Sequence, residues 1–213
     1  AVDPAGDMEC IDLELIYADL DMIENRLAKA IKAGKGGNKE AKEEEAFLND
    51  IKAHLEAGNN ARTFAYDETN ELYAQVMKEM GLLSAKPIIY ACNMDDDGVM
   101  NPKASDYYNI VAKKAASEGA AVLAICAKTE EELSELDEEE KAMFMEELGI
   151  SESGLERLIK KSYALLGLIS YLTDGKKECR AWTIKNGTKA PGAAGKIHSD
   201  FERGFIRAQV IAY

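Results

Sequence analysis

Ile88-Ile89-Tyr90-Ala91-Cys92 runs into Asn93-Met94-Asp95-Asp96, and Val122-Leu123-Ala124-Ile125-Cys126 runs into Ala127-Lys128-Thr129. Both are short apolar runs between helical patterns, and this alternation predicts an α/β chain with a parallel sheet. In such a sheet the carboxyl ends of the strands border the ligand crevice. An Asn-x-x-Asp at one strand end and a Cys-Ala-Lys at the next therefore read as a base-recognition site. No Gly-x-x-x-x-Gly-Lys-Ser/Thr occurs in the 213 residues, so the chain is expected to hold only the base-reading half of a nucleotide site.

The chemistry of these residues supports that reading. In nucleotide-binding domains of the P-loop GTPase type, an Asn after a strand steadies neighbouring loops and contacts the base. A carboxylate three positions on accepts hydrogen bonds only, so it suits the paired amide and amino donors of guanine. Asn93 and Asp96 have this spacing. Met94 stands where a lysine stem usually covers the base, and its thioether can pack on a purine face without charge. Cys126, Ala127 and Lys128 follow the next strand, where a backbone N–H is expected to meet the base carbonyl and a side chain to pack on the ring. Taken alone, Asn-x-x-Asp is equally the spacing of a helix N-cap or turn.

Outward from the strands, residues 1–7 read as a loop. Leu13, Ile16, Leu20, Ile23, Leu27 and Ala30 then form a helical stripe suited to a coiled-coil seam. Gly34-Lys35-Gly36-Gly37-Asn38 breaks it, and a second helix carries Phe47, Leu48, Ile51 and Leu55 on one face before Gly58-Asn59-Asn60. An antiparallel helical hairpin is predicted. Further helices are expected over 71–81, 105–117 and 154–167. The ten acidic residues between Glu130 and Glu147 predict a solvated helical surface that still keeps Leu133, Leu136, Met143, Phe144 and Leu148 as an apolar face. Beyond Ser170 the pattern predicts a strand over 180–184, a Lys185-Asn186-Gly187 turn, a glycine- and alanine-rich loop and a half-exposed strand over 204–211. A core of β-grasp size needs roughly twice these residues, so that module is expected to continue past Tyr213.

The four cysteines fit no zinc or redox spacing, and no segment approaches a membrane span, so a cytoplasmic protein is expected. Net charge is −13, yet residues 171–213 carry +4 against −17 in the first 170. A basic tail on an acidic body suits RNA contact through the tail.

At this point the chain resembles the YchF or Obg-like ATPase branch of the Obg-type P-loop NTPases. The resemblance is carried by Leu83-Ser84-Ala85-Lys86-Pro87, Asn93-Met94-Asp95-Asp96-Asp97-Gly98, Glu135-Leu136-Asp137-Glu138-Glu139-Glu140-Lys141 and Gly154-Leu155. It continues through Ala181-Trp182-Thr183-Ile184, Gly187-Thr188-Lys189-Ala190-Pro191 and the long run from Ile197-His198-Ser199-Asp200 to Arg207-Ala208. The resemblance implies a P-loop G domain with an inserted helical hairpin (coiled coil) over 1–58, the rest of the G domain over 59–170 and a partial β-grasp TGS domain over 171–213. It implies a ribosome-associated protein that hydrolyses ATP, or GTP, with Mg²⁺ as a regulatory switch.

Members often prefer ATP where Asn-x-x-Glu replaces Asn-Lys-x-Asp; here Asp96 stands at the Glu position. The P-loop, Mg²⁺ ligands and switch segments of the family precede the residues of this chain. No catalytic or metal-binding residue is therefore assigned within it, and the chain alone is expected to be inactive. Nucleotide contact is expected at Asn93, Met94, Asp96, Cys126, Ala127 and Lys128, and ribosome or ribosomal RNA contact at Lys176, Lys177, His198, Arg203 and Arg207. Neither DNA nor a membrane is an expected partner. The alternative is a non-catalytic RNA- or ribosome-binding module acting through the hairpin and TGS surfaces, and a third reading takes the hairpin as an oligomerisation device.

Overall fold

Asp3 and Pro4 start the first helix, because the Asp3 carboxylate accepts from the Gly6 N–H at 3.1 Å and proline is preorganised for the first turn. In the computed structural model, which describes residues 2–175 and 178–211, α1 spans Pro4–Gly34, so the segment read as a loop up to Asp7 is already helical. α2 spans Lys39–Glu56 and is capped by Asn38, whose side chain accepts from Ala41 N–H. Arg26 pairs with Glu44, and Lys52 with Glu24 at 2.8 Å, so α2 runs back along α1.

The chain divides into two compact units, residues 1–124 and 125–213. In the first, Ile16, Ile23 and Ala30 recur every seven residues on α1 and are buried against Phe47, Leu48, Ile51 and Leu55 of α2. Leu20 and Leu27 pack partly buried beside them, whereas Leu13 leaves the predicted stripe and is exposed. The same core takes Val76 of α3 (Glu71–Met80) and Leu82 after it. Phe47 stacks on Tyr73 with ring centroids 4.1 Å apart and meets Tyr66 edge-on.

One carboxyl is fully buried in this apolar setting. Asp19, three residues after Ile16 on the buried stripe, accepts the backbone N–H groups of Leu83 and Ser84, each at 2.7 Å. Ser84 Oγ in turn accepts the Ala61 N–H at 3.0 Å, tying the short 3₁₀ turn Ala61–Thr63 to the same place.

The two strands expected at 88–92 and 122–126 fall within one residue of expectation. β1 is Ile89–Asn93, followed by the short helix α4 (Asp96–Met100) and then α5 (Asp106–Glu118), and β2 is Ala121–Ile125. β1 and β2 are hydrogen-bonded neighbours in a two-stranded sheet.

In the second unit the acidic run is two helices rather than one surface, α6 (Ala127–Glu135) and α7 (Glu138–Glu147). Asp137 separates them by capping α7 in a reciprocal box with Glu140. Leu133 is buried, but Met143 of the predicted apolar face is exposed. α8 (Gly154–Leu165) begins at Ser153, and both oxygens of Glu130 accept from its first N–H groups, Gly154 at 2.6 Å and Leu155 at 2.9 Å. β3 (Leu168–Asp174) pairs antiparallel with β4 (Cys179–Lys185) in a register running from Leu168 opposite Lys185 to Asp174 opposite Cys179.

Two expectations for this unit need correction. The glycine- and alanine-rich segment is helical, as α9 (Ala190–Ile197), followed by the short α10 (Ser199–Arg203). Residues 204–211 form no strand: they have no paired neighbour among the described residues, and Ile206, Val210 and Ile211 are more than four-fifths exposed. Among the described residues no helix is long and apolar enough to cross a membrane.

Candidate functional site

The end of β1 is shaped by an aspartate cap. Asn93 is the last residue of the strand, and Asp95 caps α4 by accepting the Gly98 N–H at 2.8 Å. A Cβ at position 98 would lie 2.8 Å from that Asp95 oxygen and 3.0 Å from Met94 Cε, so a larger residue there would require the Asp95 and Met94 side chains to shift. The N-cap alternative thus applies to this loop at Asp95, and Asp96 becomes the exposed first residue of α4.

Beside the loop lies a cavity of about 780 Å³, within the range of small-molecule sites. Asn93, Met94, Asp95 and Asp97 line it together with Tyr90, Cys92, Tyr107 and Tyr108, with Val2 before α1, and with Pro4 and Met8 of its first turns. Asp96 is not among its lining residues. Burial pushes the Cys92 thiol up, which keeps it protonated and unreactive at neutral pH.

Cys126, Ala127 and Lys128 stand in the second unit. Cys126 is buried at the N-cap position of α6 without a side-chain cap, and Lys128 lies in the first turn, its side chain 81% exposed with Nζ 3.7 Å from Glu132. Of the residues expected to touch RNA, Lys176 and Lys177 lie outside the described residues. His198 joins α9 to α10, its Nδ1 accepting the Asp200 N–H at 3.2 Å, and Arg203 and Arg207 are exposed. His54, on α2, is structural: its Nε2 lies 3.1 Å from the Asn60 carbonyl oxygen and 2.9 Å from Thr63 Oγ1.

A charge cluster behind the cavity went unread in the sequence. Arg62 Nη2 reaches Asp12 at 3.2 Å and Glu118 at 2.8 Å, while Lys114 Nζ reaches the other oxygen of each, at 2.8 and 3.1 Å. The four groups form a closed ring of alternating sign joining α1, the 3₁₀ turn and α5. Glu118 also accepts the Tyr90 phenol at 3.1 Å, and burial followed by the Glu118 charge pushes that phenol up to about 12. Only the Lys114–Glu118 spacing of four was visible in the sequence. In the second unit, Arg180 lies 4.4 Å over the Trp182 ring, a cation–π contact the sequence reading also passed over.

Among the described residues no three His, Cys, Asp or Glu side chains gather as metal ligands would.

The fold has close solved kin. The YchF GTPase of Schizosaccharomyces pombe aligns with a TM-score of 0.81 over 96% of this chain and 55% of its own, at 32% identity. The chain therefore has the α/β fold of that GTPase. Residues 168–213 match the family model YchF-GTPase_C, described as a protein of unknown function (DUF933). Over its whole length the chain is 47% identical to the ribosome-binding ATPase YchF of Bacillus subtilis and 45% identical to that of Escherichia coli O157:H7. It spans 57% of the length of each. The chain belongs to the YchF family.

Proposed function

We propose that this chain supplies the base-reading side of the nucleotide site, and the partner-facing segments, of a ribosome-associated protein that hydrolyses ATP or GTP. The observation that carries the proposal is the end of β1, where Asn93 and Met94 face a cavity of about 780 Å³ walled by tyrosines. An Asn amide carries both acceptor and donors, the chemistry a base edge needs, and the Met94 stem and the tyrosine rings suit a flat apolar face. Cys126, Ala127 and Lys128 would complete base recognition. Asp96 would accept base N–H groups, the contact on which the choice between adenine and guanine turns. In the full-length protein the phosphates and Mg²⁺ would be held by a P-loop segment, and hydrolysis would serve as a switch read by the ribosome. The inserted hairpin over 1–58, the G-domain remainder over 59–170 and the partial TGS domain over 171–213 are the divisions this function implies, in a cytoplasmic protein. The names of the relatives, ribosome-binding ATPases, support the same reading.

Calorimetric titration of a protein of the relatives' full length tests it. Asn93→Ala is expected to weaken ATP binding by about tenfold, the equivalent of roughly 1.4 kcal/mol. Unchanged affinity would overturn the assignment.

A second reading, RNA contact through the C-terminal segment, draws on exposed Arg203 and Arg207 and on Arg180 stacked over Trp182. Lys176, Lys177 and His198 are further contacts in this proposal. Reversing both Arg203 and Arg207 to Glu is expected to weaken ribosome association at least about tenfold at low salt and to flatten its salt dependence. Co-sedimentation at several salt concentrations measures this, and retained association with an unchanged salt slope would exclude these arginines as contacts.

A further inference from the structure

Every residue from Tyr90 to Asp95, along β1 and its exit, lines the cavity, so the course of the strand end shapes that wall. Among the described residues β1 has one hydrogen-bonded neighbour, β2, so backbone pairing restrains it from one side. On the cavity side the restraint is a side-chain hydrogen bond, from the Tyr90 hydroxyl to Glu118 Oε2 at 3.1 Å. That acceptor is itself fixed. Glu118 is held by Arg62 at 2.8 Å and by Lys114 at 3.1 Å, its side chain is 12% exposed, and both cations are held again by Asp12 of α1. A donor bound to so constrained an acceptor has little freedom, and neither has the strand that carries it.

We propose that Glu118 is a positioning residue for base recognition, acting through the Tyr90 hydroxyl to set where β1 ends and so where Asn93 and Met94 meet the base. This inference rests on the base-reading function proposed above. It makes the α5 end of the ion ring part of the nucleotide site without contact to the nucleotide. It also adds a second connection from α1, whose start already lines the cavity, since Asp12 closes the ring from the helix pair.

The test compares two probes on the full-length protein: ATP, which carries a base, and inorganic tripolyphosphate, which does not. Tyr90→Phe removes one hydroxyl and no packing volume of consequence. It is expected to weaken ATP about fivefold, the scale of one hydrogen bond, and to leave tripolyphosphate within about twofold. Glu118→Ala is expected to change the two probes in the same unequal way. A purely structural role would move both probes together or neither, and either result in Tyr90→Phe overturns the proposal, even if Glu118→Ala fails to fold. Asn93→Ala separates the two levels. If it weakens ATP while Tyr90→Phe does not, the positioning role alone fails; if it leaves ATP unchanged, the base-site reading fails.

Discussion

Replacing Asp19 with alanine is expected to cost the first unit about 3 kcal/mol, because a buried backbone donor, the Ser84 N–H, and a part-buried one, the Leu83 N–H, lose their shared acceptor. Each carboxyl oxygen takes one N–H at 2.7 Å, from Leu83 and from Ser84, and both Asp19 and Ser84 are wholly buried. An unpaired buried N–H costs roughly 1–3 kcal/mol, which applies in full to Ser84 and in part to Leu83, whose bond is only partly buried. The damage also spreads. Ser84 Oγ accepts from Ala61 and the Ser84 carbonyl from the Arg62 N–H, so a shifted 83–84 turn loosens the start of the 3₁₀ turn as well. Asp19→Asn is expected to be nearly as harmful, since its amide presents an NH₂ to one of the two N–H donors. Urea unfolding followed by helical circular dichroism measures both variants. A loss below about 1 kcal/mol in either would refute this account of the 83–84 turn.

The contrast between Asp19 and its neighbours shows what the sequence could disclose. Ile16, Ile23 and Ala30 announced a buried helix face by period alone, because every partner they need is simply apolar. Asp19 sits on that face and breaks the period, and only the position of residues 83 and 84, more than sixty residues away, turns the break into a hydrogen-bonded core group. The ring of Asp12, Arg62, Lys114 and Glu118 was hidden for the same reason: charges on four helical positions look solvated until the chain brings them together. The two strands were legible from local β-branched and apolar runs. Near Asn93 the spacing marked a polar loop but not which aspartate caps it, since Asp95, Asp96 and Asp97 are chemically alike and only the turn geometry selects Asp95. At α9 the glycines misled. Gly195 is there because a Cβ would come within 2.9 Å of Glu202 Cβ in α10, so a residue type that ordinarily signals a loop instead permits two helices to approach.

The ion ring converts the same geometry into a pH signature. Burial raises the Asp12 carboxyl, but hydrogen bonds and charge from Lys114 and then Arg62 outweigh it and hold the group below its usual 3.8. Glu118 is likewise raised by burial and pulled below 4.5 by Arg62 and Lys114. Both groups bind fewer protons folded than unfolded at mildly acid pH, so stability rises with pH through that range. Their contribution is fully present above the ordinary carboxyl values of 3.8 and 4.5 and is lost as pH falls through the lower folded values. Arg62→Ala leaves two largely buried carboxylates to one lysine, and at neutral pH it is expected to destabilise the first unit by about 3 kcal/mol. The lysine that remains keeps the loss at the lower end of what breaking a buried pair costs. Because the variant's carboxyls lose the part of their depression that Arg62 supplies, the gap between it and the natural sequence should narrow as pH falls from about 5 towards 3. Urea midpoints taken across that range read the gap directly. A difference independent of pH would mean that Arg62 stabilises through its packing and its side-chain bond to the Ser84 carbonyl alone, and that its ion pairs in the ring carry no net electrostatic stability.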